Sequence, residues 1–284
     1  MNPISASSLL HFTKEMDGLK GILEYGFRFS YCCEEFSSTI NMNEKHPESA
    51  TFFRPSPDIN DYVALPMICF CDIPLTRAKS HSDTYGNFIF GINKDIALAL
   101  YGNLLNPILY RTSTEIKLAL NDLSVIKAQI TDVAGCHNYN RSINQLIGNT
   151  KPYSGKFDDD HLDYCFYDER EWRILMPYDY CDEGKWIWNL SIEDYKTKKN
   201  EINQTLHKSK YAYVGFTTDL EEDEEIFIQF ISHIVVDTEE HIPELVEFIL
   251  NDNQKLFGYT HVSKRVRNLL VSKITSFERI EKDF

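Results

Sequence analysis

A chain of 284 residues with 29 basic and 43 acidic side chains carries a formal net charge of −14, and 43% of its residues are hydrophobic. That length suits one large domain or two small ones around a sizeable core. The charge argues against a general electrostatic grip on nucleic acid, though not against a local basic groove. No apolar run approaches the length of a membrane span. The N-terminus lacks a basic stretch followed by an apolar one, so the expected location is the cytoplasm.

The opening reads as strand, helix, strand. Leu9 to Thr13 is a short apolar strand around His11. Lys14 to Tyr25 has helical spacing through Met16, Leu19, Ile22 and Leu23, and Gly26 stands where a helix cap would. Residues 37–61 are polar and read as a long loop. Val63 to Ile73 is an apolar run that ends at Asp72-Ile73-Pro74-Leu75. A polar stretch then leads to Tyr85-Gly86, a strand from Asn87 to Ile92 and a helix from Asn93 to Leu105. Asn106-Pro107 breaks that helix before a strand at Ile108 to Tyr110. One or two helices are expected over 113–148, a polar loop over 149–163, and a strand from about Asp163 to Leu175. Beyond these lie a strand at Tyr211–Phe216, an acidic turn at 219–225, a strand at Ile231–Val236, and helices at Ile242–Asn251 and Val262–Val271. Strands and helices mixed without regular alternation indicate an α+β fold.

The seven cysteines are odd in number, and none shows the paired Cys-x-x-Cys spacing of a zinc site. Cys69 and Cys71 alternate with Ile68 and Phe70, which suits reduced, buried thiols. A cluster of Cys32, Cys33, His46 and Cys71 is the one metal-binding combination to weigh, and no metal is expected. Charge is unevenly spread. Residues 219–252 hold twelve acidic side chains and no Lys or Arg, whereas residues 255–284 hold seven Lys or Arg against three acids. Two solvated faces, or a positive patch beside an acidic one, both fit that reversal.

Two short strings carry polar, chemically capable groups on otherwise apolar or aromatic segments: Leu10-His11-Phe12-Thr13 and Glu169-Arg170-Glu171-Trp172-Arg173. Read as one strand, the second puts Glu169, Glu171 and Arg173 on a single face. Adjacent carboxylates repel unless a cation compensates, so the pair belongs either to a structural ion network or to a site that handles developing positive charge. Cleavage of a glycosidic bond at ribose is such a reaction. A carboxylate steadies the oxocarbenium-like transition state, and a second acts as general base. His11 and Thr13 would bind ribose or phosphate-adjacent hydroxyls, and Tyr85 beside Gly86 would stack on a base.

These strings, with Cys69-Phe70-Cys71-Asp72-Ile73-Pro74-Leu75 and Tyr85-Gly86, occur in an order that resembles the AbiGi-type abortive-infection proteins of bacterial phage defence. The likeness runs over about residues 7–175 and more loosely through Ile231–Ile249. The early His and late Glu are also similar to the His-Tyr-Glu pattern of ADP-ribosyltransferases, a superfamily that includes the DarT toxins. No Arg precedes His11, so the Arg-Ser-Glu branch does not fit. The transferase resemblance implies a split mixed β-sheet with flanking helices and a C-terminal helical extension. It implies one domain over 1–284, with room for a subdomain from about 205. NAD would be the co-substrate, held by His11 and Thr13, with Tyr85 stacking; Tyr25, Tyr31 and Tyr101 are alternatives for that ring. Glu171 would be catalytic, with Glu169 assisting the acceptor. The expected partners are a single-stranded DNA or RNA acceptor (contacts Lys264, Arg265, Arg267, Lys273 and Tyr259), a protein acceptor, and a cognate antitoxin or phage protein. The competing reading is a non-catalytic antitoxin or phage sensor whose acidic segment binds a basic partner, and a third is an NAD glycohydrolase.

Overall fold

The computed structural model describes residues 6–35, 62–112, 145–155, 164–177, 190–208, 213–214 and 220–283, with residues 116, 119–120, 122–123 and 142–143 between them. Most of the helical segment expected at 113–148 and all of the 37–61 loop, His46 included, lie outside the described residues.

Apolar runs at period two build one mixed sheet. Its strands are β1 (Ser8–Thr13), β3 (Ser30–Glu35), β4 (Tyr62–Cys71), β5 (Phe88–Asn93), β6 (Leu105–Pro107), β9 (Glu171–Leu175), β11 (Ile231–Val236) and β12 (Ile274–Ser276). The order is β12-β11-β5-β1-β4-β9-β6, with β3 also paired to β4. Among the described residues, only β11 and β12 run parallel within it. Two small pairs stand apart: β2 (Phe27–Arg28) with β10 (Tyr213–Val214), and β7 (Leu109–Arg111) with β8 (Thr150–Pro152). Residues 231–276 therefore supply two strands of the main sheet, rather than only helices beside it.

The middle of the sheet opens. β1 pairs with β5 at six successive positions but with β4 only at Leu10↔Cys71. Further along the same edge of β4, β3 takes over from Ser30↔Met67 to Glu35↔Tyr62. The gap is filled by rings: Phe27 meets Phe70 at 4.9 Å and His11 at 5.5 Å between centroids. Side chains thus plug this opening.

Helices follow apolar spacing and local capping. In α1 (Met16–Tyr25), Leu19, Ile22 and Leu23 are buried, and the helix stops at Gly26, whose φ of 90° is open to glycine and whose N–H donates to Ile22 O at 2.8 Å. The polar stretch before Gly86 is a helix, α2 (Lys79–Tyr85), and α3 (Lys94–Tyr101) is shorter than expected and gives way to β6. The acidic segment 219–225 is largely the first turn and a half of a helix, α5 (Leu220–Phe230), not a turn. Phe227, Ile228 and Phe230 bury its apolar side and override the local charge repulsion. Completing the set are α4 (Ile192–His207), α6 (Ile242–Leu250), α7 (Lys264–Val271) and α8 (Phe277–Asp283). Among the described residues, no helix is long and apolar enough to cross a membrane.

Candidate functional site

The string around Glu171 is not one strand. Phe166–Glu169 is a 3₁₀ turn, Arg170 has a left-handed backbone (φ 45°), and β9 begins only at Glu171. Glu171 and Arg173 do share a strand face, but Glu169 reaches them from the turn. What gathers the two carboxylates is Lys151, on the three-residue strand β8 inside the region expected to be loop. Its Nζ donates to Glu169 Oε2 at 2.8 Å and to Glu171 Oε2 at 3.0 Å, and lies 4.7 Å from the Phe166 ring centroid.

Arg173 completes the cluster. Nε and Nη2 grip Glu171 in a two-pronged contact at 2.6 and 2.9 Å, Nη1 donates to Gly148 O at 2.9 Å, and Nη2 also reaches Glu34 on β3 at 2.5 Å. Gly148 allows that approach because a Cβ there would stand 2.5 Å from Leu175 Cδ1. The Tyr85 hydroxyl donates to Glu169 Oε1 at 2.7 Å, and the Glu171 N–H donates to the Tyr110 hydroxyl at 2.7 Å.

The centre of the cluster is withdrawn from water: Glu169, Glu171 and Arg173 are 2%, 4% and 0% exposed. Burial alone would raise the Glu171 carboxyl, but Arg173 and Lys151 outweigh it and hold the group well below the usual carboxylate range. Burial prevails at Glu169 and Glu34, whose carboxyls are raised despite Lys151 and Arg173. Burial and then Glu169 push the Tyr85 phenol up, so it stays a proton donor. Three acids thus face two bases, with Glu34 the outermost acid and the Tyr85 hydroxyl a neutral donor to Glu169. Both Glu171 oxygens are taken by cations.

His11 is elsewhere. Cys71 pairs with both Leu10 and Glu171, so Leu10 and Glu171 share a face of the sheet. His11, one residue on, points to the opposite face with Phe70, its ring 5.7 Å away. Its Nδ1–H donates to Cys69 O at 2.8 Å across the opening between β1 and β4. Burial lowers its pKa, opposed by that hydrogen bond, and keeps the imidazole neutral. Thr13 is spent locally: its hydroxyl donates to Glu15 O at 3.1 Å, at the entry to α1. Gly86, with φ 110°, lies against the Thr13 and Lys14 backbone, which brings neighbouring Tyr85 to Glu169. Glu169, Glu171 and Tyr85 therefore converge, whereas His11 and Thr13 do not join them.

The expected nucleic-acid contacts are largely engaged within the fold. Arg267 is 1% exposed and donates to Ile249 O and Gln254 O. Lys273 donates to Ile231 O, and Arg265 pairs with Glu225 at 2.9 Å. Tyr259 is partly buried against the core and Lys264 is exposed. Sequence reasoning missed Lys151, Glu34, Tyr110 and Gly148. One signal was present, since two buried acids beside a single Arg demand a second cation.

Compared with known proteins, residues 29–217 match the family described as "Putative abortive phage resistance protein AbiGi, antitoxin". The chain is also 22% identical over 238 residues to "Abortive phage resistance protein AbiGi" of Lactococcus lactis subsp. cremoris, covering 78% of this chain and 89% of that protein. No solved structure matches.

Proposed function

Because the chain belongs to the AbiGi abortive phage resistance family, we propose that it serves phage defence as a non-catalytic, antitoxin-type binding protein. The observation that carries this reading is the closure of Glu171. A carboxylate that steadies a developing cation has to face the substrate, and this one faces Arg173 and Lys151, with His11 on the other side of the sheet. The family description supports it by naming an antitoxin. The cluster then acts as a staple joining β3, β8, β9 and α2. The partner-facing surface is the acidic one, where Glu239, Glu240, Glu244, Glu247 and Asp252 are exposed and would meet a basic protein.

The transferase alternative rests on the convergence of Tyr85, Glu169 and Glu171, with NAD as co-substrate and a nucleic-acid or protein acceptor. It requires Lys151 to withdraw from both carboxylates. One experiment separates the two readings: the purified full chain is incubated with NAD, and nicotinamide release and the melting temperature are followed. The binding reading expects neither release nor a shift, and expects Glu171→Gln to lower the melting temperature. Nicotinamide release that Glu171→Gln abolishes, in a variant still folded by circular dichroism, would overturn it.

A further inference from the structure

Beside the Glu169 turn lies a cavity of about 430 Å³ that the family resemblance does not account for. That volume falls within the range of roughly 300–1,000 Å³ common for small-molecule sites. One wall is the turn itself, with Tyr167, Asp168 and Arg170; the other is the segment after β4, with Arg77, Ser80 and His81. Among the described residues, two guanidinium groups and the Asp168 carboxylate line this volume. Arg77 is exposed and makes no ion pair among the described residues.

Two further features mark the pocket as built. His81 is only 4% exposed, and its Nε2 is buried with no hydrogen-bond partner. The Ser80 hydroxyl donates to Arg77 O at 3.2 Å and accepts from His81 Nδ1–H at 3.0 Å, which leaves Nε2 as a hydrogen-bond acceptor. Burial holds the imidazole pKa below its ordinary value, against Asp168, so it serves as a neutral hydrogen-bonding group. Arg170, meanwhile, holds a left-handed backbone that non-glycine residues rarely adopt, fixed by its N–H to Tyr167 O and by Asp72 N–H to its own carbonyl. Such conformations gather at ligand clamps.

We propose that this pocket binds the phosphate group of a small phosphorylated metabolite, with Arg77 and Arg170 as the anion clamp and His81 Nε2 accepting a hydrogen bond from a hydroxyl of the metabolite. Guanidinium forks match phosphate oxygens geometrically. Tyr167 forms the wall next to the clamp; its ring is 44% exposed and stacks on Tyr153 at 5.2 Å and 16°, which suits a planar organic group on the phosphate. This goes beyond the binding reading above and does not depend on it.

The test is thermal denaturation of the full chain with adenosine 5′-monophosphate, ribose 5-phosphate, inorganic phosphate and adenosine. The phosphate compounds are expected to raise the melting temperature saturably and adenosine is not. Inorganic phosphate matching the organic ones would assign the pocket to the free anion, and a stronger organic response would assign it to the ester. Arg77→Gln should weaken the response at least tenfold while the unliganded protein melts normally, and Arg170→Asn, which tolerates the left-handed backbone, should weaken it to a similar extent. The proposal fails if no phosphate compound shifts the transition, if adenosine shifts it equally, or if Arg77→Gln responds as the unaltered chain does.

Discussion

Two charge assemblies in this molecule use the same chemistry to different ends. Around Glu171, five ionisable side chains lock together with almost no exposure. In the C-terminal part, Arg265–Glu225, Arg279–Glu239 and Lys282–Glu278 pair at 2.6–2.9 Å with every partner at least 41% exposed. Distances are alike in both, so distance does not rank them. Solvent does: an exposed pair contributes about 0–1 kcal/mol, whereas removing one partner of a buried pair costs about 3–5 kcal/mol because the other charge is stranded.

The sharpest way to break the comparison is Lys151→Met, which strands Glu169 and leaves Glu171 to Arg173 alone. Urea denaturation should register a loss of about 3–5 kcal/mol, and adding Glu169→Gln should recover part of it, since the two substitutions share partners. A loss under about 1 kcal/mol would place the cluster with the surface pairs. Next is Gly148→Ala, whose Cβ would press on Leu175 and Leu65 and shift the carbonyl that Arg173 uses. A loss of about 1–3 kcal/mol is expected from overpacking alone.

Acid should act through a third group. His207 Nε2–H donates to Phe29 O at 3.0 Å. Burial, then Arg28, pulls its pKa from 6.5 down to about 4. The unfolded chain therefore takes up the proton first. The stabilisation is complete above pH 6.5 and drains away as pH falls from 6.5 towards 4. Partial solvation trims the effect to about 1–2 kcal/mol. His11, His81 and His233 are lowered as well, burial being the first cause, and act with the same sign. Stability measured at stepwise lower pH should fall in this window, and less steeply in His207→Asn. The smallest effects belong to the surface: Arg265→Ala and Arg279→Ala should each cost under about 1 kcal/mol, and nothing measurable at high salt.

What sequence reasoning reached, and where it stopped, follows from the range of each signal. β1, α1, β4, β5 and β11 announce themselves by period and by apolar runs, and Glu171 and Arg173 share a face because they lie two apart on a real strand. Three facts that decide the site have no local signature. Lys151 lies on a strand too short to show a period. The left-handed Arg170 cuts Glu169 off from β9. The register Leu10↔Cys71 sends His11 to the far side of the sheet, and register is a tertiary choice. A one-residue slip there would have put imidazole and carboxylates together.

The pairing of β5 with β11 has a consequence for biosynthesis. β1 covers one side of β5, and the other is taken by β11, which begins only at Ile231. While the ribosome translates the intervening stretch, a nascent Phe88–Asn93 strand keeps a hydrogen-bonding rim unsatisfied and open to neighbouring chains. Until Ile231–Val236 emerges from the exit tunnel, this half-made sheet is a natural client for chaperones.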